Sequence, residues 1–248
     1  MNIAVCVSHV PDTATRIVIG KDEKSIDQSG VTYIINPYDE FAVEEALKTK
    51  EKFGGEVIVI SVGNDNCKET IRKALAMGAD RGILLKDDNP RDSFSLAKIL
   101  ADEIKNQNCE LVFMGKQSVD YDNSITGQIT SELLGYSCIT IVVDFKIETN
   151  KIIAEREIEG GKEVVESELP AVITCQKGLN EPRYASLKGI MAAKKKVIEE
   201  KPALHVDNLT EVLNMKKPAP KNPGRILGTD SSAVPELVKL LHEEAKVI

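Results

Sequence analysis

The sequence predicts an α/β protein: a mainly parallel sheet with helices on both faces, added antiparallel hairpins and an extended C-terminal arm. Three observations carry this expectation. Short apolar runs bounded by turn or polar residues alternate with segments of helical period up to Tyr136. From there to Cys175 strand-like runs follow one another with no helix between them, and beyond residue 197 prolines interrupt a polar tail. Strictly alternating strands and helices place successive strands parallel, because a crossover helix returns the chain to the starting edge. The expected organisation is one domain over 1–197 and an arm over 198–248.

The strands expected in the first part are IAVCVS (3–8), EVIVISV (56–62), GILL (82–85) and ELVFMG (110–115), each a short apolar run that suits a sheet buried on both faces. The first helix begins at NPYD, where Asn36 can cap, Pro37 fits the first helical position and Asp39 lies in the positive first turn. Ala42, Val43, Ala46 and Leu47 form its apolar face. A second helix over 66–77 stops at Gly78, which suits a left-handed C-cap. A third carries Leu96, Ala97, Leu100 and Ile104 on one stripe, and a fourth follows Gly127 through Ile129 and Leu133. After Tyr136, ETNK and EGGK read as turns between antiparallel strands. The tail holds Pro202, Pro218, Pro220 and Pro223 and ends in an amphipathic helix over 233–246, with Val234, Leu237, Val238 and Leu241 on one side. That helix either docks on a partner or folds back on its own domain.

Composition excludes several classes of function. A net charge of -7 and the absence of tryptophan argue against general nucleic-acid binding, which needs a basic surface and stacking platforms. No apolar run reaches the length of a membrane-spanning helix, and MNIAVCV enters a strand pattern with no charged leader, so a cytoplasmic protein without membrane insertion is expected. Cys6, Cys67, Cys109, Cys138 and Cys175 are odd in number, form no CxxC pair and read as reduced core thiols. His9, His205 and His242 are scattered, and neither HExxH nor GxSxG occurs, so no nucleophile with its base is expected.

Two segments carry chemistry. GKQSVDYDNSITG (115–127) leaves a buried strand and enters a helix, where an open α/β sheet presents ligand loops and a helix start offers free N–H groups to phosphate. It matches neither a Walker loop nor GxGxxG, and from its residues alone it is a phosphate site or an ordinary polar loop. In LNEPRYASLKGIMAAKKK (179–196), Pro182 biases Glu181 toward extended backbone, and Leu187 lies among the small residues Ala185, Ser186 and Gly189. Such a leucine either protrudes as an anchor for a partner or belongs to the core. Lys194, Lys195 and Lys196 form a solvated face or steer an acidic partner.

The run at 179–196 closely resembles the recognition signature of the electron-transfer flavoprotein beta subunit. NPYDEFAVEEALKTKEK (36–52), ALAMGADRG (74–82), GKQSVDYDNSITGQ (115–128) and LPAVIT (169–174) match the same family in its order. The resemblance covers most of residues 1–200 and is loose beyond them. It implies an adenine-nucleotide hydrolase-like fold and a subunit that carries electrons rather than a catalyst by itself, with the chemistry supplied by a flavin.

By the same resemblance AMP is bound by Gly115, Lys116, Gln117, Ser118, Val119, Asp120, Tyr121, Asp122, Asn123, Ser124, Ile125 and Thr126. Cys6 lies beside the adenosine, and Asn36, Pro37, Tyr38, Asp39 and Val62 contact it. An FAD shared with an alpha subunit is covered near Thr13 and Tyr38. Arg183, Tyr184, Leu187, Ile190 and Met191 face a flavin dehydrogenase such as an acyl-CoA dehydrogenase, with Leu187 as the inserted anchor, and the arm contacts the alpha subunit. The family also has electron-bifurcating members with a second FAD in place of AMP. VPDT (10–13) resembles that kind, whereas the acidic VDYDNSIT and LNEPRYASLKGIM resemble the simple carrier. The readings left open are a carrier holding AMP, a bifurcating component oxidising NADH at a second FAD, and a stand-alone adenine-nucleotide sensor.

Overall fold

The computed structural model describes residues 1–148, 151–221 and 223–248. Its elements are β1 (Asn2–Cys6), β2 (His9–Pro11), β3 (Tyr33–Ile35), α1 (Pro37–Phe53), β4 (Glu56–Gly63), α2 (Cys67–Met77), β5 (Arg81–Lys86), α3 (Ser93–Asn106), β6 (Leu111–Gly115) and α4 (Thr126–Leu134). They continue with β7 (Ser137–Glu148), β8 (Lys151–Ile158), β9 (Gly161–Glu168), β10 (Ala171–Cys175), α5 (Leu187–Ala193), β11 (Ile198–Pro202) and α6 (Val234–Glu243). One nine-stranded sheet runs in the order β11-β5-β4-β1-β6-β10-β7-β8-β9, and β2 pairs with β3 in a small antiparallel ribbon. Every pairing from β11 to β7 is parallel, and only β7–β8 and β8–β9 are antiparallel.

Strand alternation divides the core into two layers. Ile3, Val5, Val57, Val59, Leu111 and Phe113 face α1 and α2 on one side of the sheet. Their neighbours Ala4, Ile58, Ile60, Val112 and Met114 face α3 and α4 on the other. Helices thus cover both faces, and continuous apolar strands follow because the central residues of each strand are buried on either side. Gly78 ends α2 with φ 140° and Gly135 ends α4 in the left-handed region at φ 70°.

The last third differs from the expected hairpins in one respect. β7, β8 and β9 are antiparallel as expected, with Gly160 at φ 81° in the EGGK turn. The ETNK turn, centred on residues 149 and 150, lies outside the described residues. AVITC, however, is no hairpin arm. As β10 it slots between β6 and β7, parallel to both, and its five residues are all buried. Cys138 also departs from expectation: it is exposed, while the other four cysteines are buried.

The expected boundary at 197 falls just before β11, which adds to the edge of the sheet beside β5. Compact units run Met1–Leu213 and Asn214–Ile248. Within the second, a 3-10 turn (Ser231–Ala233) leads into α6, whose Val234, Leu237 and Val238 are exposed, and Arg225 pairs with Glu236 at 3.1 Å.

Candidate functional site

Within the large sheet the next strand after β1 in the chain, β4, lies on one side of it, while β6 lies on its other side. The strand order therefore reverses at β1, and a crevice opens at the carboxyl ends of these strands, where open α/β sheets hold their ligands. A cavity of about 220 Å³ lies there, walled by Cys6 and Ser8 after β1, Val62 and Gly63 at the end of β4, and Gly115 to Ser118 after β6. Asp39 at the start of α1 and Asp120, Tyr121 and Asn123 to Gly127 close it. Of the residues expected at the nucleotide, Cys6, Asp39, Val62, Gly115, Lys116, Gln117, Ser118, Asp120, Tyr121, Asn123, Ser124, Ile125 and Thr126 line the cavity.

Asn36 lies behind the wall instead. It was expected to cap α1, yet its side chain makes no cap bond. Fully buried, its amide donates to Gln117 O at 2.8 Å and to Asp39 Oδ1 at 2.9 Å, while its own oxygen accepts from Val119 N at 3.3 Å. Three hydrogen bonds from one buried amide outweigh one cap bond, so Asn36 fixes the loop after β6 from below. Asp39 completes this tie by accepting from Ser8 N at 2.7 Å and Gly115 N at 3.0 Å. Burial pushes its carboxyl up to about 7, even against these hydrogen bonds, which lower it. A side chain at Gly115 would sit 2.3 Å from Asp39 Oδ1, so only glycine lets β6 approach α1 this closely. Burial likewise pushes the Cys6 thiol up, with Asp39 adding to the effect, and keeps it neutral.

The loop over 118–124 is held in a specific shape. Asp122 and Ser124 take positive φ of 54° and 52°, Ser124 Oγ donates to Gln117 Oε1 at 3.0 Å and Asn123 donates to Ser93 Oγ at 3.0 Å. Pro37, Tyr38, Val119 and Asp122 do not line the cavity; Lys116 Nζ lies 5.1 Å from the Tyr38 ring centroid. α4 begins at Thr126 without a side-chain cap, and its Gly127 packs so closely on Thr174 that a Cβ would lie 2.5 Å from it. Polar groups not expected from the sequence also face in: Ser8 and His9 after β1, and Asn89, Arg91 and Ser93 after β5. The loops after β1 and β5 open at the same carboxyl edge, and that placement was the available signal.

Thr13 is exposed on the loop between β2 and β3, away from this cavity. Its neighbours Asp12, Ala14 and Thr15 belong to a larger concavity of about 400 Å³, open to solvent and walled by that loop alone. Of these two concavities, it is the strand-end cavity that gathers donors from several strands. Among the described residues no group of three or more His, Cys, Asp or Glu side chains could hold a metal ion, and no helix is long and apolar enough to cross a membrane.

Comparison with known proteins identifies the family. The family model of the electron transfer flavoprotein domain matches residues 24–205. The chain is 38% identical to the electron transfer flavoprotein subunit beta of Bacillus subtilis over 262 aligned positions, covering all of both chains. It is 39% identical to that of Homo sapiens over 256, covering all of this chain and 99% of the other, and 40% identical to the mitochondrial one of Arabidopsis thaliana over 255, covering all of both. This chain belongs to the electron transfer flavoprotein beta-subunit family.

In this beta-subunit chain the segment at 179–196 packs against α1 and α2. Tyr184 (99% exposed), Leu187 (83%) and Met191 (68%) project from it, and Ile190 is partly exposed, so Leu187 is not core. Ser186 caps α5 through Gly189 N. Arg183 turns inward to Glu44 and Glu51 of α1. Lys196 is also turned in, donating to Leu75 O at 3.3 Å and to Ala79 O, while Lys194 and Lys195 are exposed.

Proposed function

We propose that this chain is the beta subunit of a heterodimeric electron carrier, with AMP as a structural ligand in the strand-end cavity and a redox FAD held chiefly by an alpha subunit. The observation that carries the nucleotide assignment is the cavity itself. At about 220 Å³ it is smaller than the ~300–1,000 Å³ of pockets for drug-sized ligands, and it suits a mononucleotide better than a whole dinucleotide. Its donor set also fits. The uncapped start of α4 offers N–H groups and a favourable dipole to a phosphate, and Thr126 adds a hydroxyl, while those of Ser118 and Ser124 are turned to Asp120 and Gln117. Of the two cations lining the cavity, Arg91 is committed to Asp87 and Val206 O, and Lys116 lies beside the Tyr38 ring.

An FAD supplies electron transfer when bound, and AMP has none to offer. This chain's part is to cover the flavin near Thr13 and Tyr38 and to present a docking surface. Tyr184, Leu187, Ile190 and Met191 form that surface for a flavin dehydrogenase such as an acyl-CoA dehydrogenase, and their exposure supports the reading. The exposed apolar side of α6 gives the arm a face for the alpha subunit. We place the heterodimer in the cytoplasm.

Coexpression with the alpha subunit tests the reading. The expected product is a yellow heterodimer with one FAD and one AMP after denaturing extraction, and this chain alone is expected to be colourless. Two FAD per heterodimer with NADH oxidation would replace it by the bifurcating reading. A stable monomer that binds ATP and takes up no alpha subunit would replace it by the stand-alone sensor.

A further inference from the structure

Arg183 sits four residues before the first residue of α5 and spends its side chain on α1. Its Nε and Nη2 donate to the two oxygens of Glu44 at 2.8 and 2.9 Å, and its Nη1 and Nη2 donate to those of Glu51 at 2.5 and 3.2 Å. Its backbone N–H adds a third bond to Glu44 at 3.0 Å. Glu44 is buried while the Arg183 side chain is 35% exposed, and the forked, bidentate geometry fixes the guanidinium against α1. A lysine could reach one carboxylate as a point charge but could not fork across two. The next residue, Tyr184, is almost wholly exposed, and Leu187 follows on the first turn of α5. The far end of α5 is gripped too: Arg72 of α2 donates to Ala193 O and Lys196 O.

We infer that Arg183 is a positioning residue for docking: by forking between Glu44 and Glu51 it fixes the backbone from which Leu187 projects, and it does not itself meet the dehydrogenase. An anchor on a free loop would lose conformational freedom on each encounter, and a clamp made within the chain removes that cost beforehand. The inference rests on the reading of Leu187 as the docking anchor, so its test carries Leu187→Ala as a control.

The reconstituted heterodimer is assayed with an acyl-CoA dehydrogenase as the reducing partner. Arg183→Gln is expected to raise the KM for the heterodimer about tenfold, with kcat and flavin content little changed. Amide hydrogen exchange over 184–193 should quicken in the same variant without the dehydrogenase present. Because Arg183→Gln strands the buried Glu44 carboxylate, Arg183→Gln/Glu44→Gln is the companion variant, and the same rise in KM is expected from it. If Leu187→Ala raises KM while both Arg183 variants leave KM and exchange unchanged, the positioning role is overturned and the docking surface stands. If Leu187→Ala has no effect, the docking reading fails and takes this inference with it. A fall in kcat with loss of flavin in both Arg183 variants would make the residue merely structural, which also overturns it.

Discussion

Asp39 has three donors aimed at two oxygens, from Ser8, Asn36 and Gly115, and it joins the ends of β1 and β6 to the start of α1. An asparagine there would turn an N–H₂ toward at least one of those donors, so Asp39→Asn should cost about 1–3 kcal/mol for each bond lost. The wild-type carboxyl, raised to about 7 by burial, is favoured protonated in the folded chain. Its contribution to stability is therefore full below the ordinary carboxylate pKa of about 4, declines as pH rises toward 7 and is flat above. Thermal midpoints across that window should show a decline in the wild type that Asp39→Asn lacks. Thr126 tests the cavity from the other wall. Thr126→Val keeps the β-branched shape and removes one hydroxyl, so AMP retention should fall by a factor equivalent to about 1–3 kcal/mol while electron transfer per FAD stays constant. Full nucleotide retention with lost NADH oxidation would instead place a redox flavin in this loop.

Asp92 links two elements. It caps α3 through Ser95 N at 2.8 Å and also accepts from Leu209 N at 2.7 Å and Thr210 N at 2.8 Å, so one carboxylate holds a helix start and the segment leading toward the tail. Burial acts to raise its pKa, but these hydrogen bonds prevail and bring it down to about 2. The stability it supplies is complete above the ordinary carboxylate pKa of about 4 and is lost as pH falls from there toward 2. Asp92→Ala should cost about 1 kcal/mol or somewhat more at neutral pH, make cleavage near 206–210 easier for a protease, and flatten this acid dependence. The other elements differ in how plainly the sequence announces them. β1, β4, β5 and β6 are continuous apolar runs because both their faces are covered, and α1 to α4 show their buried stripe. β11 is invisible by the same criterion: IEEKP is an edge strand whose five residues are all at least partly open to water, so no apolar pattern marks it. AVITC shows that it is a strand but not which strands flank it, since pairing partners leave no local trace. Asn36 misled for a related reason, as a helix-start asparagine looks the same whether its amide turns to its own helix or to a loop 81 residues away.

The whole chain has a core of its own in Met1–Leu213, with both helical layers inside that unit. Ending the chain after Leu213 should leave its thermal unfolding cooperative and close to the full-length midpoint, while copurification with the alpha subunit is lost. A large drop in the midpoint of the isolated chain would show that the tail stabilises Met1–Leu213 directly.

The place of β10 has a consequence for how the molecule is made. β6 and β7 flank it in the sheet, yet the chain forms β7, β8 and β9 before Ala171 emerges. During synthesis β6 therefore presents an open, fully apolar flank with its hydrogen-bonding groups unmet, and the same is true of the inner side of β7. The five buried residues of β10 act as a late closing slat. Chains stalled or cut before Ala171 should aggregate through that gap, and pulse-labelled nascent chains should become protease-resistant only once Cys175 has cleared the ribosome.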